Sequence, residues 1–154
     1  MTGMSIWSDY HLPASVDEAL ALLAQYKGNA RIIAGGTDLL VGARAEEEPE
    51  TYQALIDITR ILELRAVQKQ EDAIVLGAAV THTEVIHSAL LEAEATCLVE
   101  SCGVIGGPQV RNVATLGGNV AHALPAGDGT ISLVALGAEG LVAWSDGIRE
   151  WLPV

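Results

Sequence analysis

The sequence predicts an α+β fold, and three kinds of observation predict it. Two capping-box spacings, Ser15 to Glu18 and Thr81 to Glu84, open runs of helical apolar period. Short β-branched or apolar runs at 31–34 and 54–58 read as strands, and paired runs at 66–77 and 138–152 read as hairpins. With 154 residues, 50% of them hydrophobic, the chain can bury a core as one compact domain or as two small lobes sharing a ligand.

In chain order, Ser15 and Glu18 cap a helix whose Val16, Ala19, Leu20 and Leu23 share one face, and Lys27-Gly28 ends it. Arg31 to Ala34 follows as a strand. It runs into Gly35-Gly36, then Thr37-Asp38, then a new helix start at Leu39-Leu40. Glu46, Glu47, Glu48 and Glu50 make a solvated acidic loop closed by Pro49, and Ala54 to Ile58 is a buried strand. Ala66 to Gln70 and Ala73 to Gly77 form a hairpin about Glu71-Asp72. Thr81 and Glu84 open a helix carrying Val85, Ile86, Ala89 and Leu90, and a further helix runs from Ala93 to about Ser101 and stops at Gly103. Gly106-Gly107-Pro108 breaks regular structure. Ile131 to Leu136 is a short helix, and Ala138 to Ala143 with Ile148 to Leu152 is a terminal hairpin about Ser145-Asp146-Gly147.

Function concentrates in two glycine-rich stretches, Ile32 to Leu40 (IIAGGTDLL) and Asn112 to Thr130 (NVATLGGNVAHALPAGDGT). Glycine lets backbone approach a ligand closely, and free N–H groups where a strand turns into a helix hold phosphate. Each pair alone reads equally well as a tight turn. Together, each beside a Thr and followed by Asn or Asp, they indicate one extended phosphate-bearing ligand held from two sides. Asp128 would repel phosphate and is better suited to accepting hydrogen bonds from sugar or ribityl hydroxyls. The Walker loop and the Rossmann GxGxxG fingerprint are both absent.

Other chemistries lack support. A net charge of −12 argues against sequence-independent nucleic-acid binding, and no apolar run is long enough to cross a bilayer. The start, MTGMSIWSDYHLP, does not read as a secretory signal, so a cytoplasmic location is expected. His11, His82, His87 and His122 show no metal-binding cadence; His122 reads as a solvent-facing or hydrogen-bonded residue. Cys97 and Cys102 point in different directions on a helix and are expected to be buried free thiols. No Ser or Cys sits in a nucleophile elbow, so any redox chemistry would be carried by a cofactor.

IIAGGTDLL together with Gln109 to Asp128 (QVRNVATLGGNVAHALPAGD) resembles the FAD-binding, medium subunit of the molybdenum hydroxylases, the family of xanthine dehydrogenase and aerobic carbon monoxide dehydrogenase. SVDEALALLAQ, ALIDI and GAAVTHTEV extend the likeness over nearly the whole chain. The resemblance implies the two-lobed α+β FAD-binding fold of the vanillyl-alcohol oxidase and p-cresol methylhydroxylase type, with a first lobe at 1–58 and a second at 59–154. It implies that Ile32, Ile33, Ala34, Gly35, Gly36, Thr37, Asp38 and Leu39 wrap the FAD pyrophosphate. Thr115, Gly117, Gly118 and Asn119 would meet FAD from the second lobe, Asp128 would hold its hydroxyls, and Ile105 would pack on the ring in place of an aromatic. It further implies partners: a molybdopterin-binding large subunit and a [2Fe-2S] small subunit, with electrons passing through FAD to NAD, quinone or oxygen. The metals would belong to those partners, and the cysteine-rich insert of the hydroxybenzoyl-CoA reducing members has no counterpart here. Family members continue for about another hundred residues, as domain sizes allow, so the C-terminal α+β domain is expected to be missing. A truncated, non-catalytic module acting in assembly or nucleotide binding is the alternative.

Overall fold

The computed structural model describes residues 7–45, 51–125 and 127–154. The acidic run of Glu46, Glu47, Glu48 and Glu50 lies outside the described residues. Helices and strands are mixed throughout, as the α+β expectation requires, but the first unit is wound in parallel. Strands β1 (Trp7–His11), β2 (Ala30–Ile33) and β3 (Tyr52–Asp57) form a parallel sheet in the order β1-β3-β2. Parallel neighbours need long crossovers. Helix α1 (Val16–Tyr26) leads from β1 to β2, and helix α2 (Leu39–Ala45) lies between β2 and β3.

Central position explains the composition of β3: Ala54, Leu55 and Ile56 are fully buried, each larger side chain contributing about 1.5–3 kcal/mol of transfer free energy. β1 has no such signal. Its sequence, WSDYH, has an exposed middle, and main-chain pairing with β3, in the register Asp9 with Ala54 and His11 with Ile56, makes it a strand. Helix α1 follows its caps. The Ser15 hydroxyl accepts from Glu18 N at 3.2 Å, and the Glu18 carboxylate reaches back one residue further than a capping box, to Ala14 N at 2.7 Å. Lys27 takes a left-handed conformation (φ 49°) and Gly28 follows at φ 91°, ending the helix. Ala19, Ile56 and Ile61 form the first core, with Val16, Leu23 and Leu64 packed against it.

A 3-10 turn at Leu62–Arg65 leads into the hairpin of β4 (Val67–Gln70) and β5 (Ala73–Leu76). The helix expected from Thr81 through Leu90 is instead two. Helix α3 (His82–Ile86) keeps its complete capping box, but Ser88 accepts from Leu91 N at 3.4 Å and starts α4 (Ala89–Glu94). A serine side chain that caps the next turn competes with helix continuation. The helix expected at 93–101 is also displaced: the chain breaks at Ala95 (φ −146°), and α5 runs over Thr96–Val104, passing through Gly103. Pro108, expected to break structure, occupies the first turn of α6 (Pro108–Arg111), where its missing N–H is harmless.

Helix α7 (Leu116–His122) and helix α8 (Asp128–Ala135) precede the hairpin of β6 (Glu139–Ala143) and β7 (Arg149–Pro153). A second core gathers Val80, Val85, Leu91, Leu98, Cys102, Leu116 and Leu133 from α3, α4, α5, α7, α8 and the segment before α3. Cys102 is buried there, whereas Cys97, also expected inside, is exposed; both are free thiols. No helix among the described residues is long and apolar enough to cross a membrane.

Candidate functional site

The two glycine stretches come together, and glycine is what permits it. β2 ends at Ile33, and Gly35 lies so close to the later segment that a Cβ there would sit 2.2 Å from the Val113 carbonyl oxygen and 2.7 Å from Ala114 Cα. Gly36 adopts φ 66°, the left-handed region that favours glycine. The chain then enters α2, with Leu40 N donating to Gly36 O at 3.0 Å and Gly42 N to Asp38 O at 2.8 Å. Among the described residues no hydrogen bond takes up the N–H groups of Gly35, Gly36, Thr37, Asp38 or Leu39. That is the condition of a strand-to-helix turn able to bind an anion.

The second stretch differs from expectation. Gly117-Gly118-Asn119 is not a loop but the opening of α7, where glycine is a poor helix former. Packing overrides propensity: a Cβ on Gly117 would lie 2.6 Å from both Ala78 Cβ and Ala78 O. Segment 78–82 runs against 114–117 through Gly117 N to Ala78 O, Leu116 N to Val80 O and His82 N to Ala114 O, at 2.9, 2.9 and 3.1 Å. Thr115, buried, caps α7 by accepting from Gly118 N at 3.1 Å. Asn119 Oδ1 accepts from both N and Oγ1 of Thr130 at 3.0 Å, tying α7 to α8.

Between the stretches lies a cleft of about 240 Å³ lined by Ala34, Gly35, Thr59, Arg65, Ala79, Thr81, Asn112, Val113 and Thr115. Of the residues expected to hold a ligand, Ala34, Gly35 and Thr115 line it. Ile33 is buried and Ile32 exposed on β2. Gly117, Gly118 and Asn119 stand behind Thr115 rather than on the cleft wall, with their N–H groups already committed. Ile105 ends α5, partly buried against the second core, and Arg111 Nη1 donates to its carbonyl at 3.0 Å. Asp128 is exposed in the first turn of α8. His122 joins the two stretches, its Nε2 lying 3.8 Å from Asp38 Oδ1.

Sequence reasoning missed Thr59, Arg65 and Asn112 as cleft residues and took Thr81 and Glu84 as caps alone. Arg65 Nη2 donates to Glu84 Oε1 at 2.6 Å, and Nη1 reaches the Thr59 carbonyl at 3.4 Å. Glu84 Oε2 accepts from Thr81 N and Oγ1, both at 2.8 Å. Burial opposes ionisation of Glu84, but these hydrogen bonds and the Arg65 charge outweigh it and hold the carboxyl below its ordinary value. Thr59 is itself fixed, its N and Oγ1 donating to Asp57 Oδ1 at 2.8 and 2.6 Å. No local pattern marks these residues, because they meet only through tertiary bonds, Arg65 to Glu84 and Thr59, and Asn112 to Thr83.

A family model described as the FAD binding domain in molybdopterin dehydrogenase matches residues 4–154. The chain belongs to this family. FAD is the cofactor of the family, and curated relatives are FAD subunits of oxidoreductases. The chain is 37% identical over 142 residues to the carbon monoxide dehydrogenase medium chain of Hydrogenophaga pseudoflava, covering 92% of this chain and 48% of that one. It is 33% identical over 123 residues to the xanthine dehydrogenase FAD-binding subunit of Escherichia coli O157:H7, covering 79% and 41%. Among solved structures, carbon monoxide dehydrogenase from Hydrogenophaga pseudoflava lacking the Mo-pyranopterin moiety matches with a TM-score of 0.88 at 36% identity, covering 94% of this chain and 50% of that chain. Quinoline 2-oxidoreductase from Pseudomonas putida 86 matches with a TM-score of 0.87 at 29% identity, covering 94% and 50%. The chain spans about half the length of the relatives it matches.

Proposed function

We propose that this chain holds FAD between two lobes, 1–58 and 59–154, of a vanillyl-alcohol oxidase type fold, as the electron-transfer subunit of a molybdenum hydroxylase. The observation that carries the reading is the row of N–H groups from Gly35 to Leu39, uncommitted among the described residues and beginning at a cleft that a Cβ on Gly35 would deform. FAD presents a pyrophosphate, a chain of hydroxyls and a planar ring, and the donors at the cleft fit the first of these. Ile32 to Leu39 wraps the pyrophosphate, with backbone donors and no side-chain carbon at Gly35 or Gly36. The buried Thr115 oxygen already accepts from Gly118 N, so its hydrogen remains to donate. Gly117 and Gly118 keep the second lobe close, Asn119 orders the start of α8, and Asp128 accepts from ribityl or ribose hydroxyls. Ile105 packs on the ring face and helps exclude water.

When bound, FAD supplies a carrier that accepts electrons one or two at a time. The chain's own task is to bind and orient it. In this reading a [2Fe-2S] small subunit delivers electrons that originate at a molybdopterin-binding large subunit, and NAD, quinone or oxygen receives them, in the cytoplasm. The separate cores around Ile56 and around Leu98 support a two-lobed division, the first core drawing in Ile61 and Leu64 from beyond residue 58.

Adding FAD to the purified chain and removing free cofactor is the test. A yellow protein whose flavin absorbance bleaches with dithionite is expected. A chain that refuses FAD yet binds the two partner subunits would replace this reading with that of a non-catalytic assembly module.

A further inference from the structure

Arg65 is the one cationic side chain among the described residues lining the cleft. Its place there is unusual for a chain of net charge −12. The guanidinium is gripped from two sides, by Glu84 at 2.6 Å and the Thr59 carbonyl at 3.4 Å, which leaves further N–H donors of its five. Glu84 is in turn shared with two Thr81 donors, so its charge is not spent on Arg65 alone. Both partners are 41% exposed, and a pair so exposed adds little to stability. Elsewhere on the cleft, Asn112 Oδ1 accepts from Thr83 Oγ1 at 2.7 Å, leaving its amide N–H groups as donors. Thr81 has both functions of its hydroxyl committed to Glu84. The free hydrogen-bonding functions of the Arg65, Asn112 and Thr115 side chains on the cleft are therefore donors, with one fixed positive charge among them.

We infer that Arg65, held in place by Glu84 and the Thr59 carbonyl, is the residue that gives the cleft its preference for the charged pyrophosphate of a flavin dinucleotide over an uncharged flavin. Asn112 and Thr115 are its neutral partners. The inference rests on FAD occupying this cleft. Glu84 acts as a positioning residue: it aims the guanidinium, and removing its charge loosens Arg65 without removing the cation.

The test titrates the full chain, wild type and with Arg65→Gln, Arg65→Lys or Glu84→Gln, against FAD, ADP and riboflavin at low and high salt, with the thermal midpoint recorded alongside. Loss of a charge-assisted hydrogen bond predicts about tenfold weaker FAD and ADP binding for Arg65→Gln. Riboflavin binding stays unchanged, and the salt dependence of FAD binding flattens. Arg65→Lys retains part of the affinity, since it keeps the charge but loses the fork. Glu84→Gln, which preserves the capping box, weakens FAD less than Arg65→Gln does. Wild-type affinity for FAD in Arg65→Gln, or equal losses of FAD and riboflavin, would overturn the inference while leaving the flavin reading intact. Failure of the wild-type chain to bind FAD would overturn both.

Discussion

Replacing Gly35 with alanine probes the contact on which the whole site is built. A side-chain carbon essentially never comes within 3.0 Å of another heavy atom, yet the new Cβ would stand 2.2 Å from Val113 O and 2.7 Å from Ala114 Cα. Both obstacles are backbone, so no rotamer change relieves them, and the turn after β2 must part from the 113–114 segment by about an ångström, an overpacking cost of roughly 1–3 kcal/mol. At about 2–4 °C per kcal/mol for a domain of this size, the melting midpoint falls by several degrees. Gly103→Ala is the matched control: its Cβ meets nothing within 4 Å and the residue lies inside α5, so it stabilises by about 0.5–1 kcal/mol. Urea and thermal melts of both variants, with FAD titrations, make the measurement. A Gly35→Ala chain that melts with the wild type and binds FAD equally would refute the close approach of the two stretches.

Further outcomes follow from other contacts. Asn119→Ala leaves Thr130 N and Oγ1 without their shared acceptor at the start of α8 and destabilises by about 1 kcal/mol, read from urea melts, whereas Asn119→Asp recovers most of the loss. The folded carboxyl of Glu84 titrates below its ordinary value of 4.5. Its contribution is therefore present above that value and lost as pH falls through the lowered folded one, so acid melts of the wild type and Glu84→Gln converge at the acid end and diverge above it. Burial, followed by the Asp128 charge, pushes the Cys102 thiol up to about 12, while Cys97 is exposed; native labelling with a thiol reagent followed by peptide mapping modifies Cys97 alone.

Much of the fold was legible because local signals agreed with tertiary need. The Ser15 cap, the Lys27-Gly28 stop, the apolar β3 and the Glu71-Asp72 turn all announced themselves. β1 did not, since an edge strand held by main-chain pairing needs no apolar alternation. The helix joints at Ser88 and Ala95 also escaped, because a weak serine cap, or at Ala95 no side-chain cap at all, looks like helix interior inside an apolar run. Gly117 misled in the opposite direction: a glycine whose Cβ would clash with Ala78 has the same appearance in sequence as glycine chosen for a loop. At the site, the glycine stretches were visible because they are contiguous. Thr59, Arg65 and Asn112 were not, because their meeting is a product of packing between the 3-10 turn, α3 and the segment before α7.

Amide-resolved NMR of the ¹⁵N-labelled chain during addition of FAD tests the central claim most directly. Binding of the pyrophosphate to the strand-to-helix turn predicts the largest shifts at the N–H groups of Gly35, Gly36, Thr37 and Asp38, with Thr115 and Asn112 responding across the cleft. ADP should reproduce the shifts at the turn, and riboflavin should not. Saturable FAD binding that leaves these amides in place and perturbs a different surface would contradict the account.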